Sequence, residues 1–191
     1  MEQLIAQIQN GHAIQYAEVV KNYQQPIYRY CLRILGNRQD AEDAVQDIFI
    51  KAFESIMQYK HTVNFSSWLY KIAYRHCLNL LRKRKYQRLL LPRLFSPEVT
   101  TEGPEQAMDK RLFSPQLGFA LTALSPDNRS LLILRIFEER TYEELGEIMG
   151  CKPEAAKKRV NRIKEKVKKK MEQWQEDMLW DEEKEPIQLK T

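Results

Sequence analysis

Apolar residues recur about every 3.6 residues along most of this chain, and the strict alternation typical of half-buried strands is nearly absent. The pattern is most regular between residues 40 and 56, where one face is apolar and the other carries acids and amides. This periodicity predicts an all-α fold. The apolar stripe consists of Ala41, Ala44, Val45, Ile48, Phe49, Ala52, Phe53 and Ile56, and Glu42, Asp43, Gln46 and Asp47 lie on or beside the opposite face.

Glycine, proline and capping residues indicate where helices begin and end in the first half. Gly11 ends a short first helix, and Gly36 ends the next helical segment, in which Pro26 marks a boundary or a kink. Asn37 can cap the acid-rich helix, and Asp40 lies three positions later in its first turn. The signals predict a series of helices with brief connections.

The longest helix predicted in the first half has a basic face with aromatic residues beside it. After a loop over 59–65, Ser66 is the predicted cap of a helix from Ser67 to about Arg88. Aromatic rings can stack on unpaired bases while cations follow a nucleic-acid backbone. We place Trp68, Leu69, Ile72, Ala73, His76, Leu80 and Leu81 on the buried face, Lys71, Arg75, Asn79 and Arg82 on the polar face, and Tyr70 and Tyr74 beside it. In the loop, Tyr59, Lys60, His61 and Asn64 could be base contacts or turn residues.

Prolines and small polar residues interrupt the periodicity from residue 89 to residue 113. We interpret this stretch as a flexible linker with a short helix around 105–112. The chain then divides into a helical domain over 1–88, the linker over 89–113, a second helical domain over 114–175 and an acidic tail over 176–191, which we expect to be frayed. The predicted architecture is two small helical domains joined by a flexible linker.

The second domain has the outline of a helix-turn-helix. Ser114 and Ser125 each precede a proline, a combination typical of helix starts. Thr141 and Glu144 form a capping box, and the short helix that follows ends at Gly150. The next helix presents a polar edge that fits a DNA major groove. That edge consists of Lys157, Lys158, Asn161, Arg162 and Lys164.

Charge is distributed unevenly along the 191 residues, although the net charge is only +5. Basic residues concentrate in 82–93 and 157–170, which indicates a polyanion bound at two places. Solvated helix faces are the simpler interpretation of either stretch alone.

Several classes of protein and site receive no support from the sequence. Cys31, Cys77 and Cys151 form no CxxC pair, so we expect neither a disulfide framework nor a metal site. No phosphate-binding glycine loop and no nucleophile with a base is recognisable, so we expect no catalytic residues, no cofactor, no small-molecule substrate and no enzymatic activity. The first residues lack a signal peptide and no long apolar run occurs, so we expect a cytoplasmic protein.

Three segments, in the same order and spacing, resemble the extracytoplasmic-function sigma factors of the sigma-70 family. Residues 35–53, LGNRQDAEDAVQDIFIKAF, closely resemble the polymerase-binding helix of that family. Residues 67–73, SWLYKIA, look like the start of its promoter-melting helix, and residues 124–149 resemble the entry to its second DNA-binding domain. The likeness extends from about residue 14 to residue 171.

The resemblance implies a protein that binds core RNA polymerase and directs promoter-specific transcription initiation, often in a stress or envelope response. Core polymerase would contact Asp40, Glu42, Asp43, Gln46, Asp47 and Phe49. The melted minus-ten element would contact Tyr59, Lys60, His61, Asn64, Lys71, Tyr74, Arg75, Asn79 and Arg82. The duplex minus-thirty-five element would contact Lys157, Lys158, Asn161, Arg162 and Lys164. The implied partners are core RNA polymerase, promoter DNA and an anti-sigma factor, in many cases membrane-anchored.

Some positions depart from the family pattern. Arg75 stands where the family commonly has Asn, and Asn79 stands where it commonly has Asp, which bears on the preferred melted base. The recognition helix begins with residues 153–156, PEAA, where the family often has a hydroxyl-bearing run. The alternative is a stand-alone helix-turn-helix regulator that binds duplex sites without polymerase, but such a regulator has no use for the acidic helix over 40–53.

Overall fold

The structure is a computed structural model that describes residues 1–90 and 112–182. The predicted linker lies mostly outside the described residues, as do the helix predicted around 105–112 and the last nine residues. All regular structure in the described part is helical, as predicted. The elements are α1 (Glu2–Gln9), a 3₁₀ turn (Ala13–Gln15), α2 (Tyr16–Leu35), α3 (Arg38–Ser55), a second 3₁₀ turn (Ile56–Gln58), α4 (Phe65–Leu90), α5 (Pro115–Thr122), α6 (Pro126–Ile136), α7 (Tyr142–Met149) and α8 (Pro153–Glu182).

The first helices begin and end largely where the local signals place them. The Asn37 side chain accepts a hydrogen bond from the Asp40 amide at 3.0 Å, as expected of an N-cap. Gly36 ends α2 with a φ of 72°, in the left-handed region that glycine adopts at little cost. Pro26 is not a boundary, because α2 continues through it. Its neighbour Ile27 is fully buried, so tertiary packing holds the helix across the missing amide.

The start of α4 differs from the prediction. The helix begins at Phe65, and the Asn64 side chain accepts from the Ser66 amide at 2.8 Å. Ser66 is therefore not the cap, and its hydroxyl instead accepts from Arg140 of the second domain at 2.8 Å. The predicted buried face is confirmed at Leu69, and Tyr70, expected at the edge of the polar face, is fully buried.

The core of the first domain brings α2, α3 and α4 together. Tyr30 and Tyr70 meet edge to face, with ring centroids 5.6 Å apart. Cys31 and Cys77 are both buried, with sulfur atoms 3.7 Å apart, a proximity that their separation in sequence does not reveal. Burial and the neighbouring thiol hold the pKa of Cys31 well above its ordinary value, so this side chain is a protonated thiol at neutral pH.

Three helices of the second domain, α5, α6 and α7, begin with a side-chain cap. Ser114 and Ser125 accept from backbone amides three residues on, and Thr141 and Glu144 form the predicted capping box. Gly150 ends α7 with a φ of 71°. Two predicted boundaries need correction: α4 continues through Leu90 into the predicted linker, and α8 is helical through Glu182 into the predicted tail. The periodic pattern of α6 also suggests a buried Ile136, but this side chain is 45% exposed.

A single long helix, α8, combines two regions of opposite charge. Its 30 residues begin with a lysine-rich stretch up to Lys170 and continue with acids at Glu172, Glu176 and Asp177. The first half packs on α5, α6 and α7, with Ala156 and Val160 fully buried. The recognition helix of the helix-turn-helix is therefore the first part of a continuous helical rod.

The two domains pack against each other in the described structure. Helix α4 contacts α6 and α7, and α2 contacts α6. No helix in the described ranges combines the length and apolarity required to cross a membrane.

Candidate polymerase-binding and nucleic-acid interfaces

Helix α3 exposes one acidic and amide-rich face. Its buried side packs on α2 and α4, which directs Glu42, Asp43, Gln46 and Asp47 to solvent. Phe49, which the sequence placed in the polymerase-binding set, is 6% exposed, and its carbonyl accepts from the Tyr16 hydroxyl at 2.7 Å. The face available to a partner is therefore polar, and Phe49 supports it from inside.

One acid on α3 is paired with a basic group of α4, and a second lies beside a histidine of that helix. Asp40 forms an ion pair with Arg84. Asp47 lies 3.7 Å from Nε2 of His76, whose Nδ1 lies 2.6 Å from Nζ of Lys51. Burial and the Lys51 charge lower the pKa of His76 below its ordinary value, and the Asp47 charge opposes this shift. Neutral His76 can then accept from Lys51, which fixes this part of α3 on α4.

An apolar stripe continues the exposed face of α3 towards its C-terminal end. Phe53, which the sequence assigned to the buried stripe, is 44% exposed and packs on the Tyr16 ring at 4.9 Å. Ile50 and Met57 are also exposed. The periodicity missed this stripe because Phe53 lies at the edge of the apolar face, whereas Ile56 is buried.

The loop before α4 is mostly structural. Tyr59 is 4% exposed, donates to the Val63 carbonyl at 2.5 Å and packs edge to face on Phe65. Burial raises the pKa of the Tyr59 phenol, so the hydroxyl stays protonated. Asn64 binds the Ser66 amide, and the His61 ring lies 3.0 Å from the Gln9 side chain. Lys60 is exposed.

Helix α4 presents the basic face that its spacing predicted. Arg75, Asn79 and Arg82 are exposed, Lys71 is half-buried beside them, and Arg82 donates to Asn79 at 3.1 Å. Tyr74 differs from the others, because its hydroxyl donates to Asp127 of α6 at 2.6 Å. The structure thus brings four of the predicted minus-ten residues together on one open face, while the fifth is engaged by the second domain.

The helix-turn-helix depends on a close backbone approach at Gly146. The Cys151 amide donates to the Gly146 carbonyl at 3.0 Å, and a β-carbon on Gly146 would lie 2.6 Å from the Cys151 carbonyl oxygen. This turn sets α8 against α7 and leaves four basic and amide residues of α8 exposed on one edge. They are Lys157, Lys158, Asn161 and Arg162.

Two further basic residues of α8, Arg159 and Lys164, have neighbours outside the exposed edge. Arg159, which the sequence did not single out, donates to the Asn128 side chain at 2.7 Å and ties α8 to α6. Lys164 is exposed, lies two turns beyond Lys157 on the same side of α8, and lines a groove of about 540 Å³. The groove is mainly apolar and lies between α5, α6 and α8, with Leu117, Leu121, Leu132, Ile136, Phe137, Val167 and Met171 among its lining.

No cluster of histidine, cysteine and acidic residues suited to a metal ion occurs in residues 1–90 or 112–182. The described surfaces are faces of charge and hydrogen-bonding groups, which suit recognition of macromolecules.

Comparison with known proteins gives the same two-part division. The family model of Sigma-70 region 2 matches residues 19–86, and that of Sigma-70 region 4 matches residues 115–167. These ranges contain α3, most of α4, and α7 with the first half of α8.

Similar proteins match the chain along most of its length. The ECF RNA polymerase sigma factor SigW of Bacillus subtilis is 29% identical over 176 residues, which cover 87% of this chain and 94% of that protein. The RNA polymerase sigma factor YlaC of the same organism is 30% identical over 168 residues, covering 87% of this chain and 97% of that protein. Among solved structures, the sigma factor RpoE in complex with the anti-sigma factor NepR from Bartonella quintana has a TM-score of 0.64 at 23% identity and covers 82% of this chain and 96% of that one. With two region matches and relatives of nearly equal length, the chain belongs to the extracytoplasmic-function sigma factors of the sigma-70 family.

Proposed function

We propose that this sigma factor docks on core RNA polymerase through the exposed polar face of α3 and binds a two-element promoter through α4 and α8. One observation carries the proposal: an acidic face and two basic faces lie on three separate helices of one chain. An acidic helix face favours a basic protein partner, whereas basic faces favour a polyanion. The two kinds of surface can therefore act at the same time.

Within the docking face, the central contacts are assigned to Asp43, Gln46 and Asp47, because they are exposed. Asp40 is engaged by Arg84 and Phe49 is buried, so these two residues act by holding α3 in position. The partner surface would be the clamp helices of the largest polymerase subunit, as in the family.

For promoter DNA, Lys71, Arg75, Asn79 and Arg82 on α4 would contact the melted minus-ten strand. Lys157, Lys158, Asn161 and Arg162 on α8 would contact the duplex minus-thirty-five element, with cations on phosphates and Arg or Asn on base edges. Lys164, which is exposed and also borders the groove, would add attraction to the DNA phosphates. Buried Tyr59 would support the loop without touching a base.

We also propose how this sigma factor is controlled and where in the cell it acts. Two similar solved structures hold anti-sigma proteins or domains, CnrY with CnrH and NepR with RpoE. By analogy, we propose that this chain also has an anti-sigma partner, which masks its polymerase-binding and DNA-binding faces. Action on polymerase places the protein in the cytoplasm, and catalysis of RNA synthesis stays with polymerase.

Charge reversal tests the docking face. Asp43→Lys/Asp47→Lys should weaken binding to core polymerase at least tenfold, about 1.4 kcal/mol. Glu18→Lys/Glu165→Lys is the charge-matched control, since both acids are exposed and lie on α2 and α8, away from the proposed contact on α3. Binding would be titrated by fluorescence anisotropy of the labelled protein. Equal affinity of the test variant and the wild type would refute the docking assignment.

Alanine substitution tests the recognition edge. Lys158→Ala/Arg162→Ala should abolish discrete start sites when the reconstituted holoenzyme transcribes genomic DNA, without changing core binding. The control is Lys169→Ala/Lys170→Ala, which removes the same charge further along α8. Unchanged start sites would refute the assignment, and tight duplex binding without any core binding would favour a stand-alone regulator.

A further inference from the structure

The exposed face of α4 continues beyond the residues assigned to the minus-ten element. The basic and amide residues of this face follow one another at intervals of four, four and three positions, and they are Lys71, Arg75, Asn79 and Arg82. Tyr86 stands four positions further on. At about 100° per residue, all of these positions fall within an arc of about 80° on the helix surface. Tyr86 therefore extends the same face by one turn.

The ring of Tyr86 is open to a ligand. Its side chain is 70% exposed, whereas Tyr70 is fully buried and Tyr74 is half-buried. A single exposed aromatic residue is ordinary on a protein surface, so exposure alone assigns no role. The position of Tyr86 on a basic face distinguishes it from other exposed rings.

An ion pair fixes the rotation of α4 at this point. Arg84 pairs with Asp40 in the first turn of α3, and its side chain is only 26% exposed. Two residues along a helix correspond to about 200° of rotation, so Tyr86 points away from α3 when Arg84 points towards it. The packing of α4 on α3 thus directs the Tyr86 ring to solvent.

The surroundings of the ring are basic. Arg82, Lys83 and Lys85 are all exposed within one turn of it. The sequence contains no acidic residue from 55 to 97, so none on α4 opposes these cations. Cations attract the phosphates of a nucleic-acid strand, and an aromatic ring among them can stack on a base. The ligand that fits this group of side chains is therefore a nucleic-acid strand.

Melting of the duplex determines which base the ring can reach. Within a duplex both faces of a base are covered by its neighbours, so an aromatic side chain stacks on bases that are unpaired and unstacked. Tyr86 lies about 6 Å along the helix from Arg82, a distance of about two stacked bases, so it reaches one end of the segment that the α4 face would hold. The chain continues from α4 to the second domain, which we assign to the minus-thirty-five element, so this is the upstream end.

We propose that Tyr86 stacks on the first unpaired base at the upstream edge of the melted minus-ten element. This inference rests on the proposed promoter function and adds to it a residue and a kind of contact. A ring that stacks on an unpaired base stabilises melted DNA over paired DNA, because the duplex offers it no free base face. Stacking tolerates all four bases, so Tyr86 contributes to promoter opening and not to the choice of promoter sequence.

Binding of the reconstituted holoenzyme to fork-junction DNA tests the contact. The probe is a promoter mapped from the start sites on genomic DNA, with its upstream part double-stranded and one strand of its minus-ten element left unpaired. Tyr86→Ala should weaken binding at least about fivefold, as expected from the loss of one base–aromatic stack. Tyr86→Phe keeps the ring and should bind like the wild type. A duplex that ends upstream of the minus-ten element should bind all three proteins equally.

The matched control moves the ring without removing it. Tyr86→Gln/Gln87→Tyr keeps the composition and turns the ring by about 100° around α4, off the basic face. Gln87 is exposed, so the exchange leaves the core unchanged, and circular dichroism verifies the helicity. This variant should lose as much affinity for the fork as Tyr86→Ala. Full binding by the exchanged protein would overturn the assignment to this face.

An abasic probe identifies the partner base. Removing the base at the first unpaired upstream position should weaken binding of the wild type but not of Tyr86→Ala, which has already lost the stack. Equal losses for both proteins would overturn the proposal. Equal losses for Tyr86→Phe and Tyr86→Ala on the intact fork would also overturn it, because they would assign the contact to the hydroxyl. A wild-type holoenzyme without discrete start sites would refute the proposed promoter function, and the stacking contact with it.

Discussion

Replacing Gly146 with alanine should destabilise the helix-turn-helix, although alanine is the better helix former. Two effects oppose each other. Alanine inside a helix is favoured over glycine by about 1 kcal/mol. Against this, the new β-carbon would lie 2.6 Å from the Cys151 carbonyl oxygen and 3.5 Å from Cδ of Pro153.

The cost of the steric clash should exceed the gain in helix propensity, because the clash can be relieved only by moving backbone atoms. The Cys151 amide is bonded to the Gly146 carbonyl at 3.0 Å, and Pro153 follows at the start of α8, so the carbonyl cannot move as freely as a side chain. Overpacking of this kind typically costs about 1–3 kcal/mol. After subtraction of the gain of about 1 kcal/mol in helix propensity, we expect the free energy of unfolding to fall by up to about 2 kcal/mol.

Urea unfolding of the full chain, followed by circular dichroism, measures the difference. Gly150→Ala is the informative comparison, because the φ of Gly150 is 71° and a β-carbon there meets nothing within 4 Å. Its cost, about 1 kcal/mol, comes from backbone conformation alone, and Gly150→Asn should recover part of it. Gly146→Asn should recover nothing. A Gly146→Ala variant as stable as the wild type, or more stable, would show that the turn adjusts freely and that the steric reasoning is wrong.

Three further predictions concern buried or capping groups. Tyr30→Phe should lower the free energy of unfolding by about 1–2 kcal/mol, because it leaves the buried Ser130 hydroxyl without its partner. The double variant Tyr30→Phe/Ser130→Ala should lose less stability than the sum of the two single variants. Additive losses in urea unfolding would contradict this hydrogen bond. Asn37→Ala should cost about 1 kcal/mol through loss of the α3 cap and Asn37→Ser almost nothing, so equal thermal stability of the two variants would exclude a capping role. The folded state resists protonation of His76, whose pKa is lowered from 6.5, so its contribution to stability should be complete above about pH 6.5 and fall as the pH drops below it. Urea unfolding at pH 8 and pH 5.5 should show a smaller loss for His76→Gln, and an equal loss would assign the pH dependence to other groups.

Local signals predicted the helix boundaries well because their causes are local. Asn37, Ser125 and Thr141 each satisfy amides within three residues, so the sequence alone contains both partners. The prediction that Ser66 caps α4 was wrong, because Asn64, two residues earlier, can also accept from an amide at the start of the helix. The burial of Phe65 in the core decides between the two residues.

The sequence could not predict features that depend on contacts between distant segments. Nothing near Glu138 or Arg140 indicates that they contact α2 and α4, since their partners are 68 to 105 residues away. The candidate faces were predicted as periodic stripes, and the stripe residues mostly share a face in the structure. Phe49 is buried with the apolar stripe in which the periodicity placed it, and Lys164 is exposed on α8 and also borders the groove between α5, α6 and α8.

The opposite charges along α8 have a consequence for how the second domain meets DNA. A rod of 30 residues at about 1.5 Å per residue is about 45 Å long, with its lysines in one half and Glu172, Glu176 and Asp177 in the other. In the field of a polyanion such a rod experiences a torque that draws the lysine half inward and turns the acidic half outward. The helix would reach the duplex already oriented, so the acidic half could accelerate productive encounters without touching a base.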